Sequence, residues 1–406
     1  MLTVKTPQAA QALIAQAFAS CKTEVETVCI WEALGRVLAE DIVADQWVPG
    51  FDRSTVDGFA VKAEETFGCS DSIPAMLQYV GEVRMGAPDA GKIETGQCKY
   101  VPTGGELPQG ANAMVMIEYV EDYGDGMRYM CKPSAPGQHV IFRGDDVKPG
   151  DVVLTRGRTL RPQDIGALAA LGVADVPVRK RPVVGILSTG DEVIDIRQTP
   201  VGGQIRDVNT HALYAGVQAA GGQPVALGIV QDEYDALYDA VRRAVQDCDM
   251  VLVSGGSSVG TRDATHRVID ALGTPGVLMH GVAIKPGKPT IVGSAGGKPV
   301  FGLPGHPVSA YFIYHIFARP LICAMMDAPY EEEGVYARLT ATIPSNHGRE
   351  ECVPVQLVRT QDGLAATPVV GKSGLITVLS RAGGYVRVPR DCEGISAGSE
   401  VEVFRF

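Results

Sequence analysis

What most constrains this chain is a repeated alternation over residues 181–325. Apolar runs of five to eight residues (PVVGILST, QPVALGIV, DMVLVSGG, TIVGS and KPVFGLPG) are interleaved with the amphipathic segments THALYAGVQAAG, EYDALYDAVRRAVQD, RDATHRVIDALG and HPVSAYFIYHIFARPLI. Runs that are apolar throughout need cover on both faces, and helices between them supply it. The pattern therefore predicts a doubly wound, mostly parallel α/β sheet. Ligands of such sheets sit at the carboxyl ends of the strands. The polar, glycine-rich stretches STGDE, SGGSSVG and GLPGHP all fall at those ends.

The flanking regions have a different character. Residues 1–45 read as helical, with Trp31, Leu34, Val37 and Leu38 spaced for one face. From 46 to 145, short runs such as AMLQYVGEV and AMVMIEYVED, broken by Gly, Pro and Asn, read as a small β-rich domain. A helix is expected again in TLRPQDIGALAALG, and after about residue 330 strand-like runs return to the end of the chain.

Composition excludes some partners. With 36 basic against 47 acidic residues the formal charge is −11, and no basic block stands out, which argues against nucleic-acid wrapping or adhesion to an anionic membrane. The first twenty residues read as an amphipathic helix opened by Thr6 and Pro7, not as a signal peptide, and no run reaches the 18 or so apolar residues of a membrane span. Nine cysteines without a CxxC pair fit reduced thiols in a cytoplasmic protein.

In SGGSSVGTRD, Gly255, Gly256 and Gly260 can expose backbone amides, and Ser257 and Ser258 can donate hydroxyl hydrogen bonds, to an anion at a helix N-terminus. An ordinary glycine turn with capping hydroxyls fits equally. Lys285 and Lys288 bracket a Pro-Gly bend in AIKPGKPT, so both ammonium groups can face one pocket and hold phosphate or an inorganic oxyanion. A solvated hairpin is the competing reading. Asp191, Glu192, Asp232 and Asp263 stand at strand exits, where carboxylates repel a polyanion unless a cation such as Mg²⁺ intervenes. Asp232 with Asp235 also has capping-box spacing, and Asp263 suits a first helical turn. His306 follows GLPG, where an imidazole can reach the strand-end crevice or simply pack at the surface. Asp57, Thr103, Asp145 and Asp146 lie beside glycines in the β-rich region, and spacing alone does not bring them to the sheet.

Taken together, these stretches resemble the molybdopterin molybdenumtransferases, the MoeA family, to which the C-terminal domain of gephyrin is related. The resemblance spans essentially the whole chain. It rests on SxxDGFAV at 54–61, PTGGELPQGANAMVMIE at 102–118, RGDDVKPG at 143–150, STGDEV at 188–193, GGQIRDVN at 202–209, SGGSSVGTRD at 254–263, IKPGKP at 284–289 and GLPGHPVSA at 302–310. It implies four parts: an extended helical linker domain (1–45 and 146–180), an inserted β-rich domain (46–145), the α/β molybdopterin-binding domain (181–328) and a C-terminal β-barrel (329–406). It further implies a homodimer in which the β-rich domain of one subunit faces the α/β domain of the other.

The activity implied is insertion of molybdate into adenylylated molybdopterin with Mg²⁺-dependent release of AMP. By the same resemblance Asp57, Thr103, Asp146, Lys285 and Lys288 are expected to be catalytic. Glu192, Gly255, Gly256, Ser257, Ser258, Gly260, Pro304, His306, Ser373 and Arg381 are expected to bind the substrate, and Asp232, Asp263 and Glu192 the metal. A molybdopterin adenylyltransferase and recipient molybdoenzymes are the implied transient partners. His306 departs from the commoner asparagine, Val56 from methionine and Phe59 from tyrosine. Two other readings are a non-catalytic scaffold of the gephyrin kind and a Mg²⁺-dependent nucleotide phosphohydrolase. Tungstate and molybdate, similar in size and charge, are not separated by these residues.

Overall fold

The structure, a computed structural model, describes residues 4–86, 90–255 and 259–406, the side chains of 259–263 excepted. Its centre is a six-stranded sheet in the order Gln223–Val230, Val183–Thr189, Met250–Gly255, Lys298–Leu303, Ile291–Ala295, Gly276–His280. The first four strands are parallel, as the alternation predicts. Ile291–Ala295 runs antiparallel to both of its neighbours, so Gly276–His280 at the edge points the same way as the first four. TIVGS and KPVFGLPG are joined by Gly296 and Gly297, both at positive φ (59° and 83°), a two-residue turn that is far too short for a parallel crossover.

Successive residues of each strand face opposite layers. Val184, Ile186, Leu252 and Phe301 pack against helix Asn209–Ala219 and the long helix Pro307–Met325, while Leu187, Val251, Val253 and Val300 pack against Tyr234–Asp247 and Val259–Ala271. Pro307–Met325 is apolar enough to cross a bilayer, contrary to the sequence expectation of no such run, but Phe312, Ile313, Tyr314 and Phe317 are buried in the sheet core. The N-terminal helix, Pro7–Ala17, is capped by Thr6 and adds Ala10 and Ile14 to the same core.

The helical reading of 1–45 holds only for this first helix. Val25–Cys29 pairs antiparallel with Asp175–Arg179, and Ile42–Val43 with Val152–Leu154. Ile30–Glu32 is a single 3₁₀ turn, ended near Gly35 at a φ of 72°. Trp31 is 88% exposed and Leu34 55%, whereas Val37 and Leu38 are buried in strand contacts, so the helical spacing of these four was coincidental. The helix expected in TLRPQDIGALAALG, residues 159–172, is present over its central part as Pro162–Ala170, with Leu168 and Leu171 in a small core beside Leu38, Leu154 and Val176.

Residues 58–130 contribute a second six-stranded sheet. Its strand Gly58–Val61 lies between Gln97–Val101 and Ala113–Met116. Asp57-Gly58 is thus not a free turn: a Cβ on Gly58 would sit 2.1 Å from the Val115 carbonyl oxygen, so glycine alone lets the strands close there. In the C-terminal region, Glu350–Thr360 pairs with both Gly363–Pro368 and Gly384–Val388. This closes five strands into a ring completed by Gly334–Leu339 and Glu400–Arg405.

Where the core helix ends, Asp327 gathers three cations. Lys22 reaches Oδ1 at 2.8 Å and Arg156 reaches Oδ2 at 2.7 Å, with Arg179 on the same oxygen. Burial alone would raise the Asp327 pKa, but the hydrogen bonds from Lys22, Arg156 and Arg179, with the Lys22 charge, hold the carboxyl well below the usual range. A depressed folded pKa means that the stability it confers is complete above about pH 4 and is lost as pH falls through the folded value. Asp327→Ala strands three cations and is expected to cost about 2 kcal/mol in urea unfolding at pH 7, a penalty that shrinks toward pH 2. An unchanged midpoint at pH 7 would refute the role.

Candidate active site

The exits of the parallel strands open into a cavity of about 470 Å³ whose lining includes Thr189, Glu192, Arg206, Asn209, Gly255 and His306. Its floor is a polar network fixed by the GGQIRDVN segment. Ser188 Oγ donates to Asp207 Oδ1 at 3.0 Å, the Thr210 amide donates to the same oxygen at 3.0 Å, and Asn209 Nδ2 donates to Ser254 Oγ at 2.7 Å and to the Gly305 carbonyl at 2.8 Å. Ser188, Asp207 and Ser254 are each at most 5% exposed, so these bonds are made out of water and hold the strand exits in one arrangement.

A second cavity, of about 960 Å³, lies between the α/β sheet and the barrel, with Lys285, Lys288, Arg349, Lys372, Glu351 and Ser373 in its wall. Ile284–Lys285 pairs with the barrel strand beside Glu350 and Glu351, which brings the lysine loop against the barrel while both lysines stay exposed. Gly287 lets that loop lie on the core helix, since a Cβ there would stand 2.4 Å from Ile313 Cδ1. Lys285 Nζ pairs with Glu351 at 2.6 Å. Among the described residues no ion pair engages Lys288. Cys352 lines the same cavity, and burial pushes its thiol well above the ordinary range, so it stays neutral.

His306 and Gly374 line both cavities. The imidazole Nδ1 is 2.9 Å from Ser373 Oγ, and the Val308 amide donates to the Ser373 carbonyl at 3.1 Å. The barrel loop is therefore tied to the strand exit where the two cavities meet.

Other expected site residues fall elsewhere within the single chain. Asp57 Oδ1 accepts from the Thr103 amide at 2.8 Å, so these two are neighbours, but neither they nor Asp146 lines the two cavities. Asp146, exposed, has its amide on the Val48 carbonyl at 3.1 Å. Pro304 directly follows the strand Lys298–Leu303 without lining either cavity, and Arg381 is exposed at the end of helix Thr377–Arg381. Asp232 is not a helix cap: Glu233 occupies that position and no side chain caps the helix. The Asp232 amide donates instead to Asp191 Oδ1 at 3.3 Å. Gly256, Ser257 and Ser258 lie outside the described residues, as do the side chains at Gly260 and Asp263. Among the described residues no three His, Cys, Asp or Glu side chains converge as a metal site.

Arg349, Lys372, Thr189 and Asn209 escaped the sequence reading. Arg349 and Lys372 sit in barrel loops with no periodicity to place them. Thr189 and Asn209 lie inside quoted motifs, where a polar residue beside an apolar strand was the available signal.

Comparison with known proteins identifies the relatives of the chain. Residues 5–172 match the MoeA N-terminal region (domain I and II), 185–324 a probable molybdopterin binding domain and 336–406 the MoeA C-terminal region (domain IV). The chain is 35% identical over 386 residues to the molybdopterin molybdenumtransferase of Bacillus subtilis, covering 94% of this chain and 89% of the relative. It is 32% identical over 410 residues to molybdopterin molybdenumtransferase 2 of Mycobacterium tuberculosis, covering 99% of each. The crystal structure of a molybdopterin biosynthesis MoeA protein from Pyrococcus horikoshii OT3 superposes with a TM-score of 0.87 at 34% identity, covering 100% of both chains. With family matches over nearly its whole length and relatives above 30% identity across it, the chain belongs to the molybdopterin molybdenumtransferase (MoeA) family.

Proposed function

We propose that this chain acts in molybdenum cofactor biosynthesis as a transferase that inserts molybdate into adenylylated molybdopterin and releases AMP. The observation that carries this reading is the pair of adjoining cavities, one polar and one cationic, meeting at His306. A pterin fits the chemistry of the strand-exit cavity, whose wall carries Thr189, Glu192, Arg206 and Asn209. Molybdate, a dianion, suits the wall of Lys285, Lys288, Arg349 and Lys372. The dithiolene sulfurs come with the substrate, and the neutral Cys352 thiol is not asked to hold molybdenum. The protein's part is to orient the two substrates and offset their charge.

Magnesium fits the donor set. Mg²⁺ keeps several waters and takes one or two carboxylates together with phosphate oxygens, so it does not need three converging protein ligands. Glu192 faces the strand-exit cavity, and Asp232 lies at the neighbouring exit beside Asp191. Glu192, Asp232 and Asp263 would hold the ion, which when bound supplies Lewis-acid stabilisation at the phosphoanhydride.

Asp57, Thr103 and Asp146 enter this reading through a second copy: in a homodimer, the β-rich domain of one subunit supplies them to the cavities of the other. The four domains, with limits at 1–45 and 146–180, 46–145, 181–328 and 329–406, and a cytoplasmic location belong to the same proposal. So does receipt of substrate from a molybdopterin adenylyltransferase and delivery to molybdoenzymes. The test is to incubate purified protein with adenylylated molybdopterin, Mg²⁺ and molybdate, measuring inserted metal and AMP together. Equal yields of the two are expected. AMP released from unrelated adenylylated compounds at comparable efficiency would overturn the reading in favour of a phosphohydrolase.

A further inference from the structure

We infer that Thr189 and Asn209 select the ring of the substrate by reading the 2-amino and 4-oxo groups of a pterin, an inference that rests on the pterin-binding reading above. Both residues line the strand-exit cavity. Thr189 is 1% exposed, and its Oγ1 has no hydrogen-bond partner among the described residues. Asn209 is held by its amide nitrogen on Ser254 Oγ and the Gly305 carbonyl. A carbonyl can only accept, so the nitrogen must be the atom facing Gly305, and Oδ1 is turned away from it. That oxygen is buried and likewise without a partner.

Loose packing does not account for the pair. Ser188, Asp207 and Thr210, on the same floor, satisfy one another fully enough to form a closed network. Buried polar atoms are nearly always hydrogen-bonded, and two orphans on the wall of one cavity mark where a ligand completes the set. Their chemistry restricts that ligand. Asn209 Oδ1 can only accept, so it requires a donor such as the 2-amino group. The Thr189 hydroxyl can donate to the 4-oxo group.

The test titrates pterin (2-amino-4-oxopteridine), lumazine (2,4-dioxopteridine) and AMP into the full-length wild type, Thr189→Val and Thr189→Ser, with melting temperatures measured in parallel. Thr189→Val loses no protein hydrogen bond, so its melting temperature should equal or exceed that of the wild type. Its pterin affinity should fall about tenfold, be regained in Thr189→Ser, and leave AMP affinity unchanged. Wild type should bind lumazine about tenfold more weakly than pterin, since a 2-oxo group sets two acceptors against each other. Wild-type pterin affinity in Thr189→Val, or loss confined to AMP, overturns this inference alone. Wild-type protein that takes AMP and no pterin overturns both it and the pterin-site reading.

Discussion

Replacing Lys288 with alanine is expected to raise the molybdate concentration for half-maximal turnover about a hundredfold, with no change in the melting temperature. The reason lies in how the two cavity lysines are held. Lys285 is already paired with Glu351 at 2.6 Å, so part of its charge is spent within the protein. Lys288 has no ion pair among the described residues and faces the same cavity, leaving its charge available to an anion. Charge-assisted hydrogen bonds to a dianion in a partly enclosed site contribute about 2 to 3 kcal/mol, which sets the size of the effect. Lys285→Ala should behave differently. It should weaken molybdate use and also lower the melting temperature, because Glu351, whose side chain is 14% exposed, would lose its cation and keep only the hydrogen bond from the Ser345 hydroxyl. Molybdate titrations of turnover with calorimetry on both variants separate the two lysines. An unchanged half-saturation in Lys288→Ala would remove the oxyanion from this cavity.

That contrast could not be read from IKPGKP itself, where the lysines look equivalent. The sequence carried the local facts: a bend between two ammonium groups, apolar strands flanked by helices, polar residues at strand exits. These survive because each follows from a few neighbouring residues. The partner of Lys285 is Glu351, far along the chain, and it arrives only because Ile284–Lys285 pairs with a barrel strand. Arg349 and Lys372 reach the cavity through the same long-range closure. The helical error around Trp31 has a similar origin. Spacing by threes and fours can arise in strands and turns when each apolar residue is buried for a separate tertiary reason, as Val37 and Leu38 are. His306 was legible as a residue at a crevice mouth. Its bond to Ser373, which makes it the joint between two cavities, depends on how the barrel is docked.

The second large effect concerns residues that the single chain keeps apart from its cavities. Asp57→Ala is expected to abolish most AMP release, about a hundredfold or more, although Asp57 lines neither cavity. Its Oδ1 also accepts from the Thr103 amide, so Asp57→Asn, which keeps an oxygen there, serves as the structural control. The informative measurement is complementation. Asp57→Ala and Lys288→Ala proteins, each nearly inactive at limiting molybdate, are mixed under conditions that allow subunits to exchange. If Asp57 of one subunit serves the cavity holding the other subunit's Lys288, every mixed dimer has one site carrying both lesions and one carrying neither. Random exchange then restores about a quarter of wild-type turnover, because half the dimers are mixed and each contributes one of its two sites. If each site draws both residues from one chain, every site keeps a lesion and mixing restores nothing. Exchange confirmed by mass, with no recovered activity, would therefore rule out a site shared between subunits.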